Sequence, residues 1–333
     1  PGKHYDAYLD KYKPEVVVTS SLGYMIDPLL MRAARRKNIC TASVIHSWDN
    51  TSTKDYRGAL PDKVVTWNSI MAKEVEIFHD IDKSNIFVGG IAHWDSFFCK
   101  SDSEEEKREN PFLEIGCSED RPIIYYGTSS YKIFPGTIDV ITKLIEAIET
   151  GRIWGHPQLV VRLHPSYLYL AAREKLNQIR STYRELRQRY PGSLYLDLPQ
   201  MPQINGGLDM PLKDLKRHAS MLRQSDVLLT EYSTLVIEAA IFDKPIINVG
   251  FGRYRNTNKP ISYLETFTHI QRILKTQASR NAYSFDDLCK MLSLYLQDPS
   301  QDRQYRTVLA EQEVEINKGY AGRTIGDYLA GLK

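Results

Sequence analysis

The stretch SDVLLTEYSTLVIEAA, residues 225–240, runs from apolar residues of strand length into polar turn residues and then into an apolar, alanine-rich segment of helical character. Val227 to Leu229 is too short for a helix and is followed by turn formers, so it predicts a short buried strand that ends there. Ser233 or Thr234 then stands where it can cap the next helix, whose first amides have no partner within the helix and carry partial positive charge. An anion fits such a place. Glu238 lies too deep in that helix for a capping box, which would want an acidic or amide side chain at Val236 or Ile237. Its carboxylate either meets a pair of sugar hydroxyls or is simply solvated.

Working outward, the chain of 333 residues has length for two domains and the composition of an ordinary globular protein. A formal net charge of +2 excludes the strongly basic field that drives nucleic-acid binding, while still permitting contact with an anionic membrane face. Cys40, Cys99, Cys117 and Cys289 form no CxxC pair, which argues against a zinc site or disulfide framework and suits a reducing cytoplasm. No apolar run is long enough to span a bilayer, and the amino terminus has no signal-peptide pattern. The sequence opens on Pro1 close to a first strand, and a segment upstream is expected to be missing.

The alternation of elements predicts strands at 16–19, 41–46, 64–66 and 86–88 with helices between them, a parallel arrangement. A charge-dense stretch around SDSEEEKREN marks residues 100–120 as a connection. A second series follows, with strands at 122–126, 159–163, 194–196, 227–229 and 246–249 and helices at 138–149, 168–189 and 211–224. The expected architecture is α/β with two doubly wound, Rossmann-like domains. They are a first domain at 1–99, the linker at 100–120, a second domain at 121–310, and a carboxyl-terminal helix at 311–333 that packs back on the first.

Ligands of such sheets collect beyond the carboxyl ends of the strands. There the loop Gly127, Thr128, Ser129, Ser130 is small and hydroxyl-rich, suited to close approach of a phosphate or equally to an ordinary turn; it matches neither GxGxxG nor the P-loop. Arg162 and His164 share one side of a strand end, where Arg can grip a diphosphate and His can donate to a leaving group, although a strand-end His also serves structure. In the first domain, His46, Ser47, Trp48, Asp49 and Asn50 through Lys54 form a loop rich in groups that move protons or hold sugars. His46 or Asp49 is a candidate base and Trp48 a stacking surface, with Asn50 beside them; the alternative is an Asx turn over a core tryptophan. Residues 251–256, rich in Arg and aromatic side chains, read as a solvated loop or a cationic lining.

Taken together, several blocks resemble the nucleotide-sugar-dependent glycosyltransferases of the GT-B fold, especially those of bacterial surface-polysaccharide synthesis. The blocks are SDVLLTEYSTLVIEAAIFDKPIINVGF, VVTWNSIMAKEVEIFHDIDKSNIFVGGIAHWDSF, RLHP, GTSS and SWDNTSTK. RLHP and GTSS are also similar to loops of the polyol-phosphate transferases of teichoic acid synthesis. The resemblance implies that Glu238 binds ribose hydroxyls and that Ser233 and Thr234 contact the diphosphate. Arg162 and His164 would neutralise the leaving nucleotide, and no metal or cofactor would be needed. The acceptor is expected to be a glycan or lipid-linked hydroxyl, met in the cytoplasm or at the inner face of the membrane by peripheral association. Sugar-nucleotide 2-epimerases share the fold but carry a glycine-rich, doubly acidic turn where this chain has Glu231, Tyr232, Ser233 and Thr234, which argues for transfer over epimerisation. Transfer of a polyol phosphate from a CDP-linked donor and noncatalytic nucleotide-sugar binding are the alternatives. A nicotinamide oxidoreductase is disfavoured for want of a glycine fingerprint.

Overall fold

The structure, a computed structural model, describes residues 2–22, 27–53, 59–98, 110–168, 172–200, 203–204, 207–208 and 210–332. The chain divides into two compact units, one formed by Pro1–Cys99 with Glu311–Lys333 and the other by Lys100–Ala310.

In the first unit, strands β1 (Val16–Thr19), β2 (Cys40–Val44), β3 (Lys63–Thr66) and β4 (Ile86–Val88) pair in parallel in sequence order. Helix Asp27–Arg36 buries Met31, Ala33 and Ala34, and small residues there let the helix approach the sheet closely. Helix Ser69–His79 begins where the Asn68 side chain accepts the Met71 N–H at 2.9 Å, a cap of about 1 kcal/mol. The carboxyl-terminal helix Ala321–Ala330 packs within this unit. Its first amides, Ala321 and Gly322, donate to the two oxygens of Asp95 at 2.8 Å each, which places negative charge at the positive end of the helix. Tyr328 stacks on Phe87 with ring centroids 4.1 Å apart. Gly89 makes the approach possible, because a Cβ there would stand 2.6 Å from Ile325 and 2.8 Å from Val65.

The second unit holds β5 (Ile123–Gly127), β6 (Gln158–Arg162), β7 (Leu194–Asp197), β10 (Val227–Thr230), β11 (Ile246–Val249) and β12 (Arg280–Ala282) in one parallel sheet, ordered β12-β11-β10-β5-β6-β7. A small antiparallel pair, β8 (Gln203–Ile204) and β9 (Gly207–Leu208), stands apart. Every residue of β5, β6, β10 and β11 is buried, as expected for strands covered by helices on both faces. Helix Thr137–Glu149 turns Val140, Ile141, Leu144, Ile145 and Ile148 inward at helical spacing. β12 is not expected from the sequence, since Arg280-Asn281-Ala282 has no apolar run.

Residues 100–109 of the expected connection lie outside the described residues, as do Lys54 and residues 201, 202, 205, 206 and 209. From Asn110 onward that segment belongs to the second unit's packing: Asn110 caps the short helix Pro111–Glu114, and the buried Phe112 meets Tyr125 edge-on.

Candidate active site

Counting from β5, the strands of the second unit run in one direction across the sheet through β6 and β7, and in the other through β10, β11 and β12. The order reverses between β5 and β10. Crossover connections of one hand then send the following helices to opposite faces and leave a crevice at the carboxyl ends of these two strands. Both loops picked out in the sequence open there.

Hydrogen bonds tie the two loops together. Thr230 Oγ1 donates to the Gly127 carbonyl at 2.8 Å and lies 2.8 Å from Ser233 Oγ. Ser129 Oγ donates to the Glu231 carbonyl at 3.0 Å, and the Ser129 N–H donates to the Glu231 carboxylate at 2.6 Å. The Tyr126 hydroxyl also donates to that carboxylate. Glu231 is buried, and burial raises its carboxyl to about 7, the Tyr126 and Ser129 donors offsetting this only in part. Gly127 is closely packed: a Cβ there would lie 2.2 Å from Leu235 Cδ1 at the start of the next helix, so the leucine would have to shift.

The phosphate-cradling amides expected of this loop are otherwise engaged. Thr128 N–H donates to the Arg162 carbonyl at 3.0 Å and Ser129 N–H to Glu231, because the loop first continues the sheet and then closes on its neighbour. Thr128 Oγ1 accepts the His164 N–H at 3.0 Å, and Ser166 Oγ donates to Ser130 Oγ at 3.1 Å, so the RLHP turn joins the same cluster.

On the β10 side, Tyr232 holds a left-handed backbone with φ of 50°, costly for an aromatic residue. Its N–H donates to Asn248 Oδ1 at 3.2 Å and its hydroxyl to Glu265 Oε1 at 2.5 Å, and these anchors hold the turn. Ser233 and Thr234 are half-buried at the turn's end. Ser233 Oγ accepts the Leu235 N–H at 3.3 Å, while Thr234 occupies the cap position in helical conformation and makes no side-chain cap bond.

Glu238, on helix Leu235–Ile241, is buried, with Oε2 2.9 Å from His218 Nε2. The partner the sequence reading sought is therefore in part a protein side chain. The solvated alternative does not hold.

Arg162 departs from its expected role. Its two terminal nitrogens each lie 2.5 Å from a buried carboxylate, Asp197 on one side and Asp214 on the other, and Arg217 completes the cluster on Asp197 at 2.5 Å. A guanidinium this committed holds β6, β7 and helix Leu212–Gln224 together and is not offered to a diphosphate.

His164 is exposed at the strand end. The Ser166 N–H donates to its Nδ1 at 3.0 Å, so the ring proton is assigned to Nε2. One side of the side chain reaches solvent, while partial burial of the other lowers the ring's pKa, to about 4. The side chain is thus a neutral donor across the physiological range. Beyond β11, exposed Arg253 joins Phe251, Phe134, Asp139 and Lys143 around a cavity of about 350 Å³.

In the first unit, exposed His46 sets Nδ1 2.5 Å from the Ser20 carbonyl, which can only accept. In the neutral ring Nε2 then carries the lone pair, the form a base requires. Asp49 accepts from Ser47 Oγ at 2.7 Å and closes a local turn. Trp48 is 5 % exposed and belongs to the core, so it offers no stacking face to a sugar. Asn50 is buried, and its Oδ1 has no hydrogen-bond partner among the described residues.

Glu231 and His218 are the residues the sequence reading passed over. The signal for Glu231 was an acidic residue directly after a buried strand; for His218 there was only its place on an amphipathic helix.

No protein-family model matches the chain, and no curated protein matches it in sequence. Solved structures do match in fold. MnaA of S. aureus, in a co-structure with UDP, aligns with 13 % identity and a TM-score of 0.62 over 100 % of this chain and 80 % of its own. The UDP-GlcNAc 2-epimerase of Methanocaldococcus jannaschii, in complex with UDP-GlcNAc and UDP, gives 15 % identity and 0.61 over 99 % and 79 %. The wall teichoic acid polymerase TagF gives 13 % identity and 0.59 over 95 % and 71 %. The chain has the GT-B-type fold of two Rossmann-like units that these proteins share.

Proposed function

We propose that the chain is an enzyme that binds a nucleotide-sugar donor in its second unit and transfers the sugar to an acceptor hydroxyl in surface-glycan synthesis. The observation that carries this reading is the convergence of the 127–130, 164–166 and 231–234 turns at the β5–β10 crevice, with Glu238 on the helix that leaves it. Fold relatives solved with UDP or UDP-GlcNAc support the ligand class.

In this reading Glu238 accepts from the ribose hydroxyls, and the hydroxyls of Ser233 and Thr234 meet the diphosphate. His164 hydrogen-bonds from Nε2 to the departing phosphate oxygen and keeps its proton. Arg162 has no contact with the donor and keeps the sheet end in shape. The acceptor oxygen bonds to the anomeric carbon as the bond to the diphosphate breaks and a general base takes the acceptor proton, an inverting displacement. No metal or cofactor is assigned a role. The acceptor is a glycan or a lipid-linked hydroxyl reached at a membrane face; no helix among the described residues is long and apolar enough to cross a membrane.

A second reading, transfer of a polyol phosphate, is favoured by the likeness to TagF, solved as a variant soaked with CDPG. A single panel separates the readings. Nucleotide sugars and a CDP-linked polyol are incubated with polyprenyl-linked and free glycan acceptors. Sugar on the acceptor supports glycosyl transfer, and phosphate-linked polyol supports the second reading. Inversion of UDP-GlcNAc at C2 without an acceptor marks an epimerase, and binding without turnover marks a noncatalytic binder.

A further inference from the structure

Glu238 is held from behind. His218, on helix Leu212–Gln224, sets Nε2 2.9 Å from Glu238 Oε2, and the Tyr125 hydroxyl of β5 lies 2.9 Å from His218 Nδ1. Tyr125 is wholly inaccessible and the other two are buried, so this line of polar groups runs from the sheet interior to the helix beside the crevice. A carboxylate only accepts, so the ring donates from Nε2. In the neutral ring Nδ1 then accepts, and Tyr125 donates. With the ring neutral, donation passes in one direction, from Tyr125 through His218 to Glu238.

A glutamate has three rotatable side-chain bonds, and freezing them when a ligand arrives weakens binding. Here the freezing is done in advance. We propose that Tyr125 and His218 are positioning residues that make Glu238 selective for ribose over 2′-deoxyribose: with one carboxylate oxygen held by His218, the other is aimed as a fixed acceptor for vicinal hydroxyls. The inference rests on the ribose role given to Glu238 above. Neither Tyr125 nor His218 touches the ligand. Each acts by fixing where the Glu238 lone pairs point, and the buried network does so because each unpaired member would be costly.

A merely structural role would weaken all nucleotides alike, whereas positioning acts on the ribose hydroxyls alone. The test is titration calorimetry on the full chain with uridine diphosphate, or whichever of cytidine and guanosine diphosphate binds, and with its 2′-deoxy counterpart. Wild type is expected to favour the ribonucleotide about tenfold, the range of one hydrogen bond to a charged group. His218→Leu should bring that ratio close to one, and His218→Gln should restore most of it, because its amide N–H can reach Glu238. Tyr125→Phe, which removes one oxygen from a filled site, should give an intermediate ratio and decides the matter if His218→Leu does not fold. An unchanged ratio in Tyr125→Phe and in any folded His218→Leu overturns the inference. Loss of all nucleotide binding by wild type would instead overturn the donor-site reading, and binding by wild type without ribose preference removes Glu238 from its role and this inference with it.

Discussion

The Glu231 carboxylate accepts the Ser129 backbone N–H at 2.6 Å, so the loops after β10 and β5 are joined through one buried titratable group. Burial raises its carboxyl from an ordinary 4.5 to about 7. Below pH 4.5 it is protonated in the folded and the unfolded chain alike, and its contribution to stability is complete. As pH rises through 7 the unfolded chain ionises first, and up to about 3 kcal/mol of stability is lost. Glu231→Gln, neutral throughout, should be flat over this window. Urea unfolding at pH 5 and pH 8 checks it: a gap between wild type and variant that does not change with pH contradicts the assignment.

Arg162 is spent on Asp197 and Asp214, and its removal leaves the buried Asp214 without this cation and Asp197 with Arg217 alone. Arg162→Met should cost about 3–5 kcal/mol, the range for breaking a buried ion pair. Chemical denaturation measures it. A variant of wild-type stability with weakened nucleotide binding would return Arg162 to the diphosphate.

Gly127 faces Leu235 at a distance no Cβ tolerates. Gly127→Ala should destabilise by about 1–3 kcal/mol through overpacking, and Leu235→Ala in the same chain should recover much of that. Thermal unfolding of the two single variants and the double variant gives the coupling. Strict additivity would show that the glycine is needed for another reason.

His164 should titrate near pH 4 and stay neutral through pH 5 to 7. Because its folded value is depressed below 6.5, its share of stability is whole above pH 6.5 and is lost as pH falls through about 4. Histidine-resolved NMR against pH reads it directly, and a midpoint near 6.5 contradicts the partly buried, Nε2-protonated ring.

The elements legible in the sequence are those bracketed by backbone chemistry. β11, Ile246–Val249, follows Pro245 and stops at Gly250, and its bounds were expected to the residue. β12 escaped notice because a three-residue edge strand, Arg280–Ala282, needs no apolar run to pair on one side. Strand alternation gave the side on which Arg162 lies but not its partners, which stand 35 and 52 residues further along. Trp48 shows the same limit from the apolar side: a loop tryptophan is equally fit to stack on a sugar or to fill a core, and only packing decides. For Glu238 the sequence supplied the right question, since its depth in the helix demanded a partner; the answer, His218, lies on another helix.

The central claim is that the β5–β10 crevice binds a nucleoside diphosphate through Glu238, and thermal unfolding with a panel of uridine, cytidine, guanosine and thymidine diphosphates tests it most directly. One member should raise the melting temperature of wild type, and Glu238→Ala should lose about tenfold or more in affinity for it. No shift with any of the four, or unchanged affinity in Glu238→Ala, would contradict the account.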